Sequence, residues 1–496
     1  MELFNLLNAA DVSIGVFGQT YDVYLNLIGK IIRFLITSVG TVGVGIVLFS
    51  LALKVIVLPF DVYQRIAMRK QNRLMKENQA RMEKLQKQYG NDKEKYNQKL
   101  MEMYKENGIS MFSSCLPMIL SMVIFIVAIN GFNAYSQYSN LSNYNTMLNA
   151  YNAKIQSYCA DLTEENLTIE GNVLIVKDNT DAEKYIYYTI PLSENENIGE
   201  KTWAEQKAYV EMNGLKEYKI DVEKAYANDE IRVLVEQAIA EAEAEAKLQA
   251  EASGDEQVFA GLTMEKKTEA AQGAIKSYFT KQAQDAVLVA YDTEVIGETK
   301  FLWIENIWVT DAMYKHPVRT YSEFSAELQR AKFEAYGEKH DLNSITSYTD
   351  SYKQETYEIV TGSLTAHKAE PNGWFVLIAL SIGTILLQQW VTNRSQKEQQ
   401  QFSSADGQGA QQQKSTMLIM TGMFAIFSFM YSSAFSIYMI TSNLFSLLST
   451  LVINKLVDNR ENKKIAQREQ EKYNQRFPGR KQSVKEETDK KKSDKK

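Results

Sequence analysis

Lys54 is the residue of this sequence whose type and setting point most directly to chemistry. It lies in Leu51-Ala52-Leu53-Lys54-Val55-Ile56-Val57-Leu58-Pro59, inside an apolar stretch. A lysine at the centre of a membrane helix costs about 2.5–3.5 kcal/mol on insertion scales, so such a cation faces a polar cavity or a partner. Windows 41–60, 112–132, 373–391 and 415–454 hold this one lysine and no other charged side chain. No carboxylate within them can neutralise it. They offer hydroxyls and amides instead: Ser50 one turn away, and Gln388, Gln389, Ser428, Ser442 and Asn443 from other windows. A cation without a built-in counter-ion is suited to borrowing one from a passing molecule. Snorkelling of the ammonium toward the cytoplasmic headgroups is the competing reading. Zinc or nucleotide chemistry has no comparable support. His316, His340 and His367 show no ligand spacing, and HExxH, CxxC and P-loop patterns are absent. Cys115 lies in an apolar run and Cys159 in a polar region, which excludes a disulfide framework.

Membrane helices must position these groups, because about 20 mainly apolar residues cross a bilayer. Five spans are predicted, over 41–61, 112–132, 373–391, 415–432 and 435–454. Trp374 and Trp390 bracket the third, as interfacial aromatics do. Only Tyr431-Ser432-Ser433-Ala434 separates the last two, which makes them a hairpin through the membrane. The whole-chain figures of 23% charged residues and net charge −6 hide this pattern, and a purely soluble protein is excluded.

Charge orients the spans. Residues 62–110 carry 12 Lys and Arg against 6 acids, 392–414 carry 3 against 2, and 455–496 carry 15 against 8. The positive-inside rule places all three in the cytoplasm and the acidic stretch 133–372 outside. The expected localisation is therefore a multi-pass cell-membrane protein with its N-terminus extracytoplasmic and its C-terminus cytoplasmic. Residues 1–40 lack a basic n-region and a small-residue cleavage site, so no cleaved signal is evident. Within them Leu25, Ile28, Ile32, Leu35 and Ile36 share one helical face, which predicts an amphipathic helix on the outer leaflet.

The soluble parts are legible in outline. From Tyr63 to Gln88 the chain is free of Gly and Pro, Gly90-Asn91-Asp92 breaks it, and a second helix carries Tyr96, Leu100 and Met103 on one face. A basic helical hairpin is predicted over 62–110, with Gly108 as its cap. It is either a solvated charged surface or a docking surface for acidic lipid, ribosome or nascent chain. Val173–Val176 and 185–189 read as paired strands, and Asn228 or Asp229 as the cap of a helix that runs through the Ala/Glu repeat 236–247. Residues 133–299 are predicted to form a small α+β domain. The lysine-rich tail reads as disordered.

The motifs, taken together, resemble the YidC/Oxa/Alb family of membrane protein insertases. Lys54 followed by Pro59 is similar to that family's positive charge a few residues before a proline in the first span. Cys115-Leu116-Pro117-Met118, Phe301-Leu302-Trp303-Ile304 and Leu387-Gln388-Gln389 resemble its second-span entry, its extracellular motif and its third-span end. Residues 437–446, which include Tyr438, resemble its fifth-span signature. The family position of Lys54 is most often arginine, and lysine loses the planar five-donor fork. Residues 133–299 and about 318–370 look like insertions relative to compact members.

The resemblance implies an all-α polytopic membrane protein. It has a five-span insertase-like core, a cytoplasmic helical hairpin and an extracytoplasmic α+β insert. It implies a hydrophilic groove open to the cytoplasm and the lipid, with Lys54, Ser50, Gln388, Gln389, Ser428, Tyr438, Ser442 and Asn443 as client-binding residues. The function implied is insertion and folding of client membrane proteins, without an enzymatic step or a cofactor. Implied partners are nascent membrane proteins, the ribosome, a Sec translocon and anionic lipids, with no specific nucleic-acid sequence. In the tail, Lys463, Lys464, Arg468, Arg480, Lys481, Lys490, Lys491 and Lys492 are the expected ribosome or lipid contacts. A non-inserting envelope scaffold and a channel or transporter are the rival functions.

Overall fold

The computed structural model describes residues 12–16, 19–106, 112–177, 184–192, 197–212, 217–252, 261–345, 350–395 and 408–476. The chain opens on the hairpin β1 (Ser13–Val16) and β2 (Gln19–Val23), followed by helix α1 (Leu27–Val39). Helix α2 (Val42–Glu77) leads to the pair α3 (Gln79–Tyr89) and α4 (Lys93–Glu106), and then to α5 (Phe112–Ser157). Strands β3 (Leu167–Glu170), β4 (Val173–Val176) and β5 (Ile186–Pro191) are followed by α6 (Trp203–Met212) and β6 (Glu217–Ile220). Next come α7 (Val222–Tyr226), α8 (Asp229–Ala252), α9 (Met264–Ala290), α10 (Ile296–Thr299) and α11 (Tyr321–Arg330). After β7 (Lys332–Ala335) and β8 (Glu338–Asp341), the chain ends through α12 (Gln354–Val360), α13 (Thr365–Ala369), α14 (Val376–Ser395), α15 (Gln408–Met430) and α16 (Ser433–Arg476).

The chain divides into two compact units, Met1–Val42 with Asn130–Trp374, and Gly43–Ile129 with Phe375–Lys496. The second unit holds the membrane helices. Three stretches among the described residues are long and apolar enough to cross a membrane: Val42–Tyr63, Val376–Arg394 and Ser433–Leu456, with a shorter apolar helix at Thr421–Met430. The expected span over 112–132 lies in α5, where the side chains of 112–121 fall outside the described ones. Phe125 on α5 sits 5.0 Å from Phe424 and 5.6 Å from Phe427 and Phe435, so an aromatic nucleus joins α5, α15 and α16.

Two expectations are corrected here. No break separates the first span from the expected hairpin: α2 runs on from Val42 through Pro59 to Glu77, so it includes the first half of the expected first arm. The chain breaks at Asn78, whose backbone (φ −98°, ψ 5°) leaves helical geometry, and again at Gly90. Met82 and Met103 are then buried within the pair α3 and α4, which Arg81 and Glu106 close at 2.8 Å. Gly108 lies outside the described residues. The second correction concerns the tail. Residues 455–476 are helical rather than disordered, because no Gly or Pro occurs from Ser433 to Arg476 to interrupt α16. Residues 477–496 lie outside the described residues.

The described residues of the first unit contain two antiparallel four-stranded sheets, ordered β1-β2-β7-β8 and β3-β4-β5-β6. In the second, β4 and β5 pair as expected, with Leu174 opposite Ile190 and Val176 opposite Tyr188, both Leu174 and Ile190 fully buried. Asn228 caps α8, its Oδ1 accepting the Glu230 and Ile231 N–H groups at 3.0 and 3.2 Å. Ile231 and Val235 of α8, and Ile275, Phe279 and Ala283 of α9, complete that core.

The first sheet was not foreseen. Val23 pairs with Phe333 and Asp22 with Glu334, so the N-terminal hairpin and a strand some three hundred residues later share one sheet. The helix α1 forms as predicted, with Asn26 Oδ1 capping the Gly29 N–H at 2.7 Å and Gly40 ending it in the left-handed region (φ 74°). Part of its apolar face, Leu25 and Ile32, is buried within this unit, and Ile28 packs on Gly131 of α5 so closely that no Cβ fits there.

Candidate functional site

Helix α2 carries a polar stripe. Ser50, Lys54, Asp61 and Arg65 are spaced by four, seven and four residues, which at 100° per residue places them within about 60° of arc on one face. Val55, Ile56 and Phe60 lie off that stripe and are strongly exposed, as lipid-facing residues are. Pro59, between Lys54 and Asp61, has no N–H and leaves the Val55 carbonyl without its helical partner. Ser50 is buried and donates to the Ile46 carbonyl at 2.7 Å, within its own helix. Lys54 is half-buried and makes no hydrogen bond or ion pair among the described residues.

The carboxylate that the windows lacked lies one residue beyond them. Asp61, two turns from Lys54, is half-buried and is the electrostatic neighbour of both Lys54 and Arg65. Arg65 in turn donates to Thr450 Oγ1 at 2.6 Å and Asn454 Oδ1 at 3.4 Å on α16. Asp61, Arg65, Thr450 and Asn454 were missed by the sequence reading. The seven- and eleven-residue spacing from Lys54 was the signal that could have found the first two. The N-terminal half of α2 is packed, with Val42, Ile46, Phe49 and Ser50 buried, whereas Val55, Ile56 and Phe60 around Lys54 are exposed; α14 packs along both α15 and α16.

The other expected polar residues are drawn into that packing. Ser428 of α15 and Ser381 of α14 share a hydrogen bond of 2.9 Å, both buried. Gln389 of α14 donates to Thr421 of α15, and Asn443 of α16 to Thr384 of α14 at 3.4 Å. Tyr438 and Ser442, one turn apart on α16, are buried and hydrogen-bonded to each other. Gln388 is half-buried. Ser428, Gln389 and Asn443 therefore stitch α14 to α15 and α16, and among the described residues no hydrogen bond connects these groups to Lys54. Interhelical bonds of this kind contribute about 0.6 kcal/mol each on average in membrane proteins. In the tail, Lys463 and Arg468 are exposed on α16, while the side chain of Lys464 and residues Arg480, Lys481, Lys490, Lys491 and Lys492 lie outside the described ones. Among the described residues no cluster of His, Cys, Asp or Glu is arranged to hold a metal ion.

A helical bundle built of apolar helices, with a charged stripe on one of them and a mixed α/β unit alongside in sequence, defines a multi-span integral membrane protein. The family described as 60Kd inner membrane protein matches residues 34–180 and 287–461, more than half of the chain, and the chain belongs to that family. Among curated proteins, "Membrane protein insertase YidC" of Caldanaerobacter subterraneus subsp. tengcongensis is 38% identical over 97 residues, 20% of this chain and 45% of that one. The protein of the same description from Fusobacterium nucleatum is 32% identical over 103 residues (20% and 48%), and that from Clostridium perfringens 36% over 104 (20% and 42%). The match thus spans less than half the length of these curated relatives. No solved structure is significantly similar to this chain. Residues 181–286, which hold β5, β6, α6, α7, α8 and most of α9, fall between the two matched segments.

Proposed function

We propose that this chain is a membrane protein insertase and chaperone, as its relatives are described, and that Lys54 is its client-recruiting charge. The observation that carries the reading is the α2 stripe: a half-buried ammonium in an apolar helix, with Asp61 two turns away and exposed apolar side chains at Val55, Ile56 and Phe60 beside it. The space beside α2 serves as a hydrophilic groove open to the cytoplasm and the lipid. An acidic or polar segment of a client is drawn toward Lys54, which shortens the apolar path the segment must cross. The client's own hydrophobic helix then enters lipid, and burial of its apolar area, about 25 cal/mol per Å², supplies the free energy. No covalent step and no nucleotide is needed, so the protein is not an enzyme.

In this reading five helices cross the membrane, with Phe112–Phe132 of α5 and the apolar part of α15 joining the three longer spans. The N-terminus and the unit built on Asn130–Trp374 are extracytoplasmic, and residues 181–286 are an insertion into the family core. The basic faces of α3, α4 and the end of α16, with Lys463 and Arg468 exposed, meet ribosomes or anionic lipid through salt-sensitive contacts. A Sec translocon is a further partner.

The test is depletion of the protein followed by complementation. Accumulation of uninserted small membrane proteins, reversed by the wild-type chain and not by Lys54→Glu, is the expected result. Normal insertion accompanied by an envelope defect would replace this reading with that of a scaffold.

A further inference from the structure

We propose that the first unit carries its own seat for the lipid surface, an apolar edge formed by Leu302, Trp303, Met313, Tyr314 and Trp374. Leu302 is 62% exposed, Tyr314 60%, Trp374 55% and Met313 51%, with Trp303 also at the surface. Three chain segments hold these side chains in one place. Phe301 and Ile304 exchange backbone hydrogen bonds at 2.9 and 3.0 Å across a tight turn, with Leu302 and Trp303 at its tip. The Ile304 side chain reaches Gly373, where a Cβ would lie only 2.8 Å from its Cδ1. Asp311, fully buried, accepts the Trp374 N–H at 2.6 Å, and the Lys315 carbonyl accepts the Asn372 N–H at 2.7 Å, so Met313 and Tyr314 are bracketed by bonds to the same segment. Asn372, buried, adds bonds to the Asn306, Val309 and Thr310 carbonyls at 3.0, 3.2 and 3.1 Å.

The occupant follows from chemistry and chain continuity. Leu302 has φ 57°, in the left-handed region that solvated turns normally give to Gly or Asn. A leucine kept there, with its side chain outward beside a tryptophan, is strain retained to present an apolar tip. Trp374 stands two residues before Val376, where a membrane-crossing helix begins. The tip and the Met313-Tyr314 turn are tied to the segment 372–374, which directly precedes this helix in sequence, and that continuity makes the lipid surface the occupant of the edge. Leucine, tryptophan and tyrosine suit the zone between headgroups and acyl chains. Such a seat fixes the depth at which the unit rides on the membrane.

The experiment uses the full chain in nanodiscs of phosphatidylcholine and phosphatidylglycerol, with a benzoylphenylalanine photocrosslinker placed in turn at Leu302, Met313 and Tyr314. Leu248, equally exposed on the Ala/Glu helix α8, is the control. Each variant is used only if its thermal unfolding matches the wild type, and the three positions substitute for one another if one fails that check. The expected result is lipid adduct at these positions several-fold above that at Leu248, unchanged when phosphatidylglycerol is omitted, because the seat is apolar rather than ionic. Lipid adduct no greater than at Leu248 would overturn the proposal. So would adducts formed only with protein when the same variants are irradiated in native membranes.

Discussion

Arg65 donates from one nitrogen to Thr450 at 2.6 Å and from another to Asn454 at 3.4 Å, so a single guanidinium ties α2 to two successive turns of α16. Thr450 also donates to the Ser446 carbonyl at 2.6 Å, which leaves its oxygen lone pairs aimed at the arginine. Hydrogen bonds to a charged partner contribute about 1.5–3 kcal/mol where they are shielded from water. Arg65→Ala and Thr450→Val are therefore expected to lower the unfolding temperature in detergent, and the double variant to be less destabilised than the sum of the two. Arg65→Lys keeps the charge but loses the fork and is expected to lie between wild type and Arg65→Ala. A double-mutant cycle on thermal unfolding measures the coupling, and strict additivity would show that the contact carries none.

Charge recruitment by Lys54 makes a separate claim. Lys54→Arg is expected to retain insertion, whereas Lys54→Ala and Lys54→Glu impair it, most for clients with an acidic translocated tail. A solvent-screened pair contributes under about 1 kcal/mol, or roughly fivefold in a rate, and partial desolvation in the groove raises this. Insertion of matched acidic-tail and neutral-tail clients into the same mutant membranes is the measurement. Equal insertion of both by Lys54→Ala would mean that the ammonium has no recruiting role.

The N-terminal hairpin protects an edge. Val23 and Asp22 pair with Phe333 and Glu334, and Tyr24 donates to the Lys332 carbonyl at 2.7 Å. Removal of residues 1–24 from the full chain leaves β7 with β8 alone, and a two-stranded remnant is marginal in water. Faster amide hydrogen exchange at 332–335 is expected, with the β3-β4-β5-β6 sheet unaffected because its core is built from other residues. Unchanged exchange at 332–335 would indicate that β7 needs no partner on that side.

Acid should weaken the start of α11. Burial pushes the Glu323 carboxyl up from its ordinary 4.5. Hydrogen bonds from the Lys315 ammonium at 2.5 Å, and from Thr320, outweigh that and hold it below. A carboxylate whose folded value is depressed stabilises the fold fully above its unfolded value and loses that contribution as pH falls through the folded one. Thermal unfolding of the wild type should therefore decline with acidification below about pH 4.5 more steeply than that of Glu323→Gln, which has no proton to gain. Parallel declines would assign the acid sensitivity to other groups.

Local periodicity made much of this protein readable in one dimension. An apolar window free of charge has few fates other than a membrane helix. The helical pair α3 and α4, the β4 and β5 strands and the Asn228 cap likewise follow from spacing within a dozen residues. So does the exceptional position of Lys54, since its cost depends only on its immediate neighbours. Asp61 and Arg65 were accessible by the same period, and the window edge at Phe60 hid them.

Tertiary placement settled the remainder, because it depends on which remote groups come within hydrogen-bond range. Nothing local in Ser13–Val23 announces a partner at 332–335, and four-residue strands carry too little pattern to name one. The same holds for Arg65 with Thr450, for Ser381 with Ser428, and for the Asn372 amide that gathers three carbonyls from 306–310. Polar residues expected to line one groove are divided by that geometry: Ser428, Gln389 and Asn443 are bonded between helices, while Lys54 has no such bond among the described residues. A side chain's chemistry is written in its type, but its partner is chosen by distance, and distance is a property of the folded chain.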